Sequence, residues 1–200
     1  MGNLRNITLA DTLIRAGDYQ VIVAGGMESM TNAPYLLPKM RGGARLGHGQ
    51  VMDSMFLDGL EDAYDKGRLM GTFAEDCASH FAFTREAQDE FAIASTTRAQ
   101  AAINNGDFTW EVVPVTVPGR KGDVVVDKDE QPLKAQIDKI PSLKPAFKKD
   151  GTVTPANSSS ISDGAAALVL MRKSTADRLG LKVVATIVGH ATHAQAPALF

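Results

Sequence analysis

An α/β fold is predicted for this 200-residue chain from three observations. Short apolar, β-branched runs, Val21-Ile22-Val23-Ala24, Leu168-Val169-Leu170-Met171 and residues 183–188, read as strands of the kind buried on both faces of a parallel sheet. Helical periodicity lies between them, and glycine or proline punctuates almost every junction. Three such strands need helices on both faces and neighbours on both edges, yet only two helices lie close enough in sequence to cover them. The sheet is therefore expected to be incomplete, with stable folding dependent on further sequence or a partner chain.

The elements follow in order. Leu9, Thr12, Leu13 and Ala16 recur at helical spacing before Gly17, so residues 6–16 form an amphipathic helix. The strand at 21–24 is expected to end at Gly25-Gly26. Residues 31–49 hold two prolines and four glycines with few periodic apolar positions, and read as a long excursion. Residues 53–64 and 73–81 carry helical periodicity. Thr84, with Glu86 in the first turn, caps a long helix that reaches Asn105 and stops at Gly106. Residues 111–117 alternate as a strand, and the turn Gly119-Arg120-Lys121-Gly122-Asp123 leads to Val124-Val125-Val126, which predicts a hairpin. Residues 133–149 read as loop. Asp163-Gly164-Ala165-Ala166-Ala167 enters the second strand, and 174–180 is a short helix with a glycine stop.

Composition excludes several classes of function. A net charge of −2, with both signs scattered, offers no basic face for a nucleic-acid backbone, so no nucleic-acid partner is expected. One cysteine cannot form an internal disulfide. Neither a signal-peptide core nor a membrane-spanning apolar run is present, so a cytoplasmic protein without a membrane partner is expected.

The run Val23-Ala24-Gly25-Gly26-Met27-Glu28-Ser29-Met30, continuing into Thr31-Asn32-Ala33-Pro34-Tyr35, resembles the thiolase family. Four further stretches agree with it in the family's own order: Asp58-Gly59-Leu60 with Asp62-Ala63, Met70-Gly71 with Ala74-Glu75, Gly151-Thr152-Val153-Thr154, and residues 157–167. The resemblance covers essentially the whole chain. It implies a thiolase-like α/β fold, present in part. Residues 1–30 and 161–182 would belong to the N-terminal domain, 31–160 to a loop domain over the coenzyme A site, and 183–200 to the start of the C-terminal domain. It also implies an acyltransferase, an acetyl-CoA acetyltransferase by family, that acts on coenzyme A thioesters, needs no separate cofactor or metal, and is a homo-oligomer in its full-length form.

Joining two acyl thioesters through carbon requires a nucleophile for one acyl group, a base for the proton alpha to the other carbonyl, and donors for both oxyanions. In thiolases a cysteine at the start of the helix matching 4–16 is the nucleophile, favoured as thiolate by the helix N-terminus. This chain starts Met1-Gly2-Asn3. The cysteine position is therefore expected just upstream or at Met1, whose thioether cannot form an acyl-enzyme. The family's oxyanion donors and second cysteine are expected beyond Phe200. No catalytic residue is carried over, and the chain alone is expected to be inactive. The resemblance instead assigns coenzyme A binding to Ser159, which matches the serine on the pantetheine arm, and to Leu60 and Met70, which match pocket-lining residues. Leu69 stands where family members often carry His.

Other residues have plainer readings. Cys77, in Glu75-Asp76-Cys77-Ala78, reads as a small buried apolar residue on a helix rather than a nucleophile. His190 and His193 have no Cys or carboxylate close in sequence to complete a metal site. Lys39, Arg41 and Arg45 form a cationic loop equally suited to nucleotide phosphates, solvent or a subunit contact. Gly25-Gly26 lacks the Lys-Ser/Thr of a phosphate loop. A second reading of the whole is a non-catalytic protein that binds coenzyme A thioesters or a thiolase subunit.

Overall fold

The computed structural model describes residues 2–199. The elements are α1 (Gly2–Ala16), β1 (Val21–Ser29), β2 (Tyr35–Leu36), β3 (Met52–Asp53), α2 (Met70–His80), α3 (Arg85–Asn105), β4 (Val115–Val117), β5 (Val124–Val126), α4 (Glu130–Lys134), β6 (Asp163–Met171) and α5 (Lys173–Arg178). They divide into two compact units, one of the chain up to Leu60 with Ile161–Gln195, the other of Glu61–Ser160 with the residues from Ala196 on. Among the described residues no helix is long and apolar enough to cross a membrane.

In the first unit α1 packs on an antiparallel β1–β6 ribbon whose register runs from Val21↔Met171 to Ser29↔Asp163. Ala10 and Ile14 of α1 and Ala24 of β1 form its buried centre. Arg172 donates from Nε and Nη2 to the Ile14 carbonyl at 3.2 and 2.9 Å, which satisfies an acceptor that the helix end leaves open.

Three expectations are corrected here. β1 does not stop at Gly25-Gly26 but runs through them to Ser29. A Cβ on Gly25 would lie 2.2 Å from the Ala166 carbonyl oxygen and 2.8 Å from Ala167 Cα, so this glycine marks close approach of two backbones rather than a strand end. The ribbon is antiparallel, and the outward side chains Val23 and Val169 are 69% and 65% exposed, because α1 covers one face. Residues 183–188 form no strand. The tail there makes side-chain contacts with α1 instead, Arg5 Nη1 to Thr192 Oγ1 at 3.3 Å and His190 Nε2 to Asp11 Oδ2 at 3.3 Å.

Asp163, opposite Ser29, accepts the Thr31 N–H at 2.9 Å. That backbone donor holds its carboxyl below the ordinary Asp value. Because the folded-state pKa is lowered, the stabilisation is present above the ordinary pKa of about 3.9 and is lost as pH falls through the lowered value. In an NMR pH series the Thr31 amide should titrate with a midpoint below the ordinary Asp value, and Asp163→Asn should abolish that midpoint.

In the second unit α3 is bounded as the sequence predicts. Thr84 Oγ1 accepts the Ala87 N–H at 3.1 Å, and Gly106, at φ 75°, closes the helix. The hairpin β4–β5 also forms, pairing Val115 with Val126. The helix expected over 53–64, most of which falls in the first unit, is shorter. It begins after β3, becomes a π turn over Phe56–Leu60 and ends there. Asp62 Oδ1 accepts the Tyr64 and Asp65 N–H groups at 2.8 and 2.6 Å, a side-chain turn that competes with helix. Within 133–149, read as loop, the chain instead forms the 3-10 turn Ile137–Ser142, preceded by α4. The core of this unit is Phe73, Ala78, Ala92, Ile140 and Val153.

Candidate functional site

Two buried carboxylates organise the second unit around the segment that ends in Ser159. Glu75, in α2, is 5% exposed. Its Oε1 accepts the N–H groups of Thr152 and Val153 at 2.9 and 2.8 Å, and its Oε2 lies 3.3 Å from the Thr152 hydroxyl. A Cβ on Gly151 would sit 2.2 Å from that Oε1, so only glycine admits the carboxylate here. Gln88 Nε2 donates to Thr152 Oγ1 at 2.9 Å from α3. The stretches Ala74-Glu75 and Gly151-Thr152-Val153-Thr154, separate in sequence, are thus two sides of one joint.

Asp89, also in α3, is 4% exposed. Its Oδ2 accepts Arg85 Nε at 2.6 Å and its Oδ1 accepts Asn157 Nδ2 at 3.2 Å. Arg85 in turn donates from Nη2 to the carbonyls of Ile140 and Leu143 at 3.2 and 2.9 Å. Asn157 uses its whole amide: Nδ2 also donates to Thr152 O at 3.0 Å, and Oδ1 accepts the Thr154 N–H at 2.7 Å. Thr154 is fully buried, and its carbonyl accepts the Ser158 hydroxyl at 2.7 Å. A polar segment that could have been a loose connection is therefore pinned at three side chains.

Ser159 comes next and differs from its neighbours. It is exposed, and its hydroxyl makes no hydrogen bond to any described residue. It lines a groove of about 600 Å³ with Phe83, Gln88, Phe91, Ser95 and Asn157. A free hydroxyl at the rim of a mixed apolar and polar groove, on a rigid backbone, is suited to hold an amphipathic ligand arm.

The other residues singled out in the sequence are placed differently. Met70 is the half-buried first residue of α2 and lies outside the lining of this groove. Leu60 is the half-buried last residue of the π turn and belongs to the first unit. Leu69, the N-cap of α2, makes no side-chain cap bond. Met1, one of the two places expected for the nucleophile, lies outside the described residues. Cys77 sits half-buried in mid-α2, where its own carbonyl accepts the Phe81 N–H. It is not at a helix N-terminus, the position that favours a thiolate. His193 pairs with Gln195 Oε1 at 3.3 Å, and His190 with Asp11. Lys39, Arg41 and Arg45 are exposed, and Lys39 has φ 64°.

The sequence assigned no site role to Glu75, which it offered only within the stretch Ala74-Glu75, or to Asp89, which lies inside the long helix. The available signal was Glu75 on the same helix face as Ala78, three residues on, where a charge needs buried partners.

The family model described as the thiolase N-terminal domain matches residues 2–174. The chain belongs to the thiolase family. Among curated relatives, a probable acetyl-CoA acetyltransferase of Dictyostelium discoideum is 47% identical over 198 residues, covering 98% of this chain and 48% of its own length. Acetyl-CoA acetyltransferase 1 of Arabidopsis thaliana is 50% identical over 201 residues, covering 98% and 48%. The solved acetyl-CoA acetyltransferase of Syntrophomonas wolfei superposes with a TM-score of 0.79 at 42% identity, over 90% of this chain and 45% of that one. This thiolase chain thus spans about half the length of the relatives it matches, and its α/β fold is part of the thiolase fold. The joint at Glu75 and the pinned segment at 152–158 draw on three of the stretches that carry the family resemblance.

Proposed function

We propose that these residues supply the coenzyme A thioester-binding part of an acetyl-CoA acetyltransferase, and that Ser159 donates or accepts a hydrogen bond on the pantetheine arm. The observation that carries this reading is the unpartnered Ser159 hydroxyl on a groove whose backbone is fixed from two helices. The names of the relatives supply the substrate class. Met70, in the same unit as Ser159, is the further apolar contact that this reading assigns. The complete enzyme would interconvert acetoacetyl-CoA plus coenzyme A with two acetyl-CoA. One acyl group passes to a cysteine thiolate with release of coenzyme A, and the resulting thioester is then attacked by the carbanion of the second acyl group, which regenerates the thiolate.

These 200 residues hold one cysteine, Cys77, and its mid-helix position supports a packing role rather than that of the acyl carrier. They are expected to bind coenzyme A without turnover. Thiolysis of acetoacetyl-CoA by the purified chain, measured beside a Cys77→Ala control, tests this. Absence of turnover in both agrees with it. Turnover that the Cys77→Ala variant loses would make Cys77 the nucleophile and overturn it.

A further inference from the structure

We infer that Asp89 is a positioning residue for the thioester site: held by Arg85, it fixes Asn157 and thereby the backbone that presents Ser159. The inference rests on the reading of Ser159 given above. A carboxylate this deeply buried is costly to desolvate, and its two oxygens are spent on one cation and one amide, Arg85 Nε at 2.6 Å and Asn157 Nδ2 at 3.2 Å. Arg85 is itself anchored by main-chain carbonyls at 140 and 143, so Asp89 has a fixed direction in which to hold Asn157. Asn157 then spans the turn that leads to Ser159, bonding Thr152 O on one side and the Thr154 N–H on the other. Only Ser158 separates Asn157 from Ser159, so loss of the Asp89 bond moves the unpartnered hydroxyl before it disturbs the core at Phe73 and Ala92.

Asp89→Asn keeps the shape of the side chain but sets an amide donor against one of two donors, and so releases Asn157 or Arg85. A double-mutant cycle with Ser159→Ala separates positioning from general structural damage, because residues acting through one contact are not additive. The readout is coenzyme A affinity of the full chain by titration calorimetry, with a melting curve for each variant. Asp89→Asn is expected to weaken binding about fivefold where Ser159 is present, the size of the loss expected from Ser159→Ala itself, and less than about twofold in the Ser159→Ala background. Asn157→Ala, which cuts the same link from the loop side and leaves the Arg85–Asp89 pair in place, should reproduce the result if Asp89→Asn fails to fold. Equal losses in both backgrounds would overturn the inference and leave the Ser159 reading standing. No loss from Ser159→Ala itself would remove that reading, and the inference with it.

Discussion

Replacing Glu75 with alanine is expected to be the most destabilising change in the second unit. The side chain receives the N–H groups of Thr152 and Val153 and faces the Thr152 hydroxyl in a site closed to solvent. Alanine leaves two buried backbone donors without an acceptor, each costing about 1–3 kcal/mol, so a loss of about 3–5 kcal/mol is expected. That is a large share of the roughly 5–15 kcal/mol that holds an ordinary domain together. Urea denaturation monitored at Trp110, the single tryptophan and a residue of this unit, would report it as a lower midpoint. Glu75→Gln keeps one acceptor oxygen and should lose about half as much.

The second large effect is expected in the first unit, from Gly25→Ala. The added Cβ would stand 2.2 Å from the Ala166 carbonyl oxygen and 2.8 Å from Ala167 Cα, both main-chain atoms that cannot rotate away. β1 and β6 must therefore separate at mid-ribbon, and overpacking of this kind costs about 1–3 kcal/mol or more. Faster amide hydrogen exchange along Val21–Ser29 and Asp163–Met171 would register the separation. Gly164→Ala is the matching control: nothing lies within 4 Å of the added carbon, and the change should stay within about 0.5 kcal/mol.

These two positions also mark the limits of what the sequence made legible. α3 could be read to the residue because its signals are local: Thr84 accepts from a backbone three residues on, and Gly106 takes the positive φ itself. The β4–β5 hairpin was legible for the same reason, with its turn between an alternating run and a β-branched one. Gly25 was misread because its conformation says nothing special; its reason lies in a strand about 140 residues away. Residues 183–188 have the composition of a strand, yet pairing needs an edge, and composition cannot supply one.

The candidate site divides along the same line. Ser159 was legible through the family pattern around Asn157-Ser158-Ser159-Ser160, and the structure adds that its hydroxyl alone of the three characterised side chains in 157–159 is left without a partner. Glu75 and Asp89 were not legible as site residues. Their partners lie 77 and 68 positions away, and a carboxylate on a helix looks the same in sequence whether it faces water or a buried loop. Gly151 was part of a recognised stretch, but its reason, the oxygen of Glu75 against its Cα, exists only in the folded unit.

Calorimetric titration of coenzyme A into the chain, beside the Ser159→Ala variant, is the most direct test that the groove around Ser159 receives a thioester arm. Binding by the parent chain that weakens about fivefold or more on loss of one hydroxyl is the expected result, in line with about 1 kcal/mol for a single hydrogen bond. Equal affinity of the two proteins would place the pantetheine arm elsewhere and contradict it.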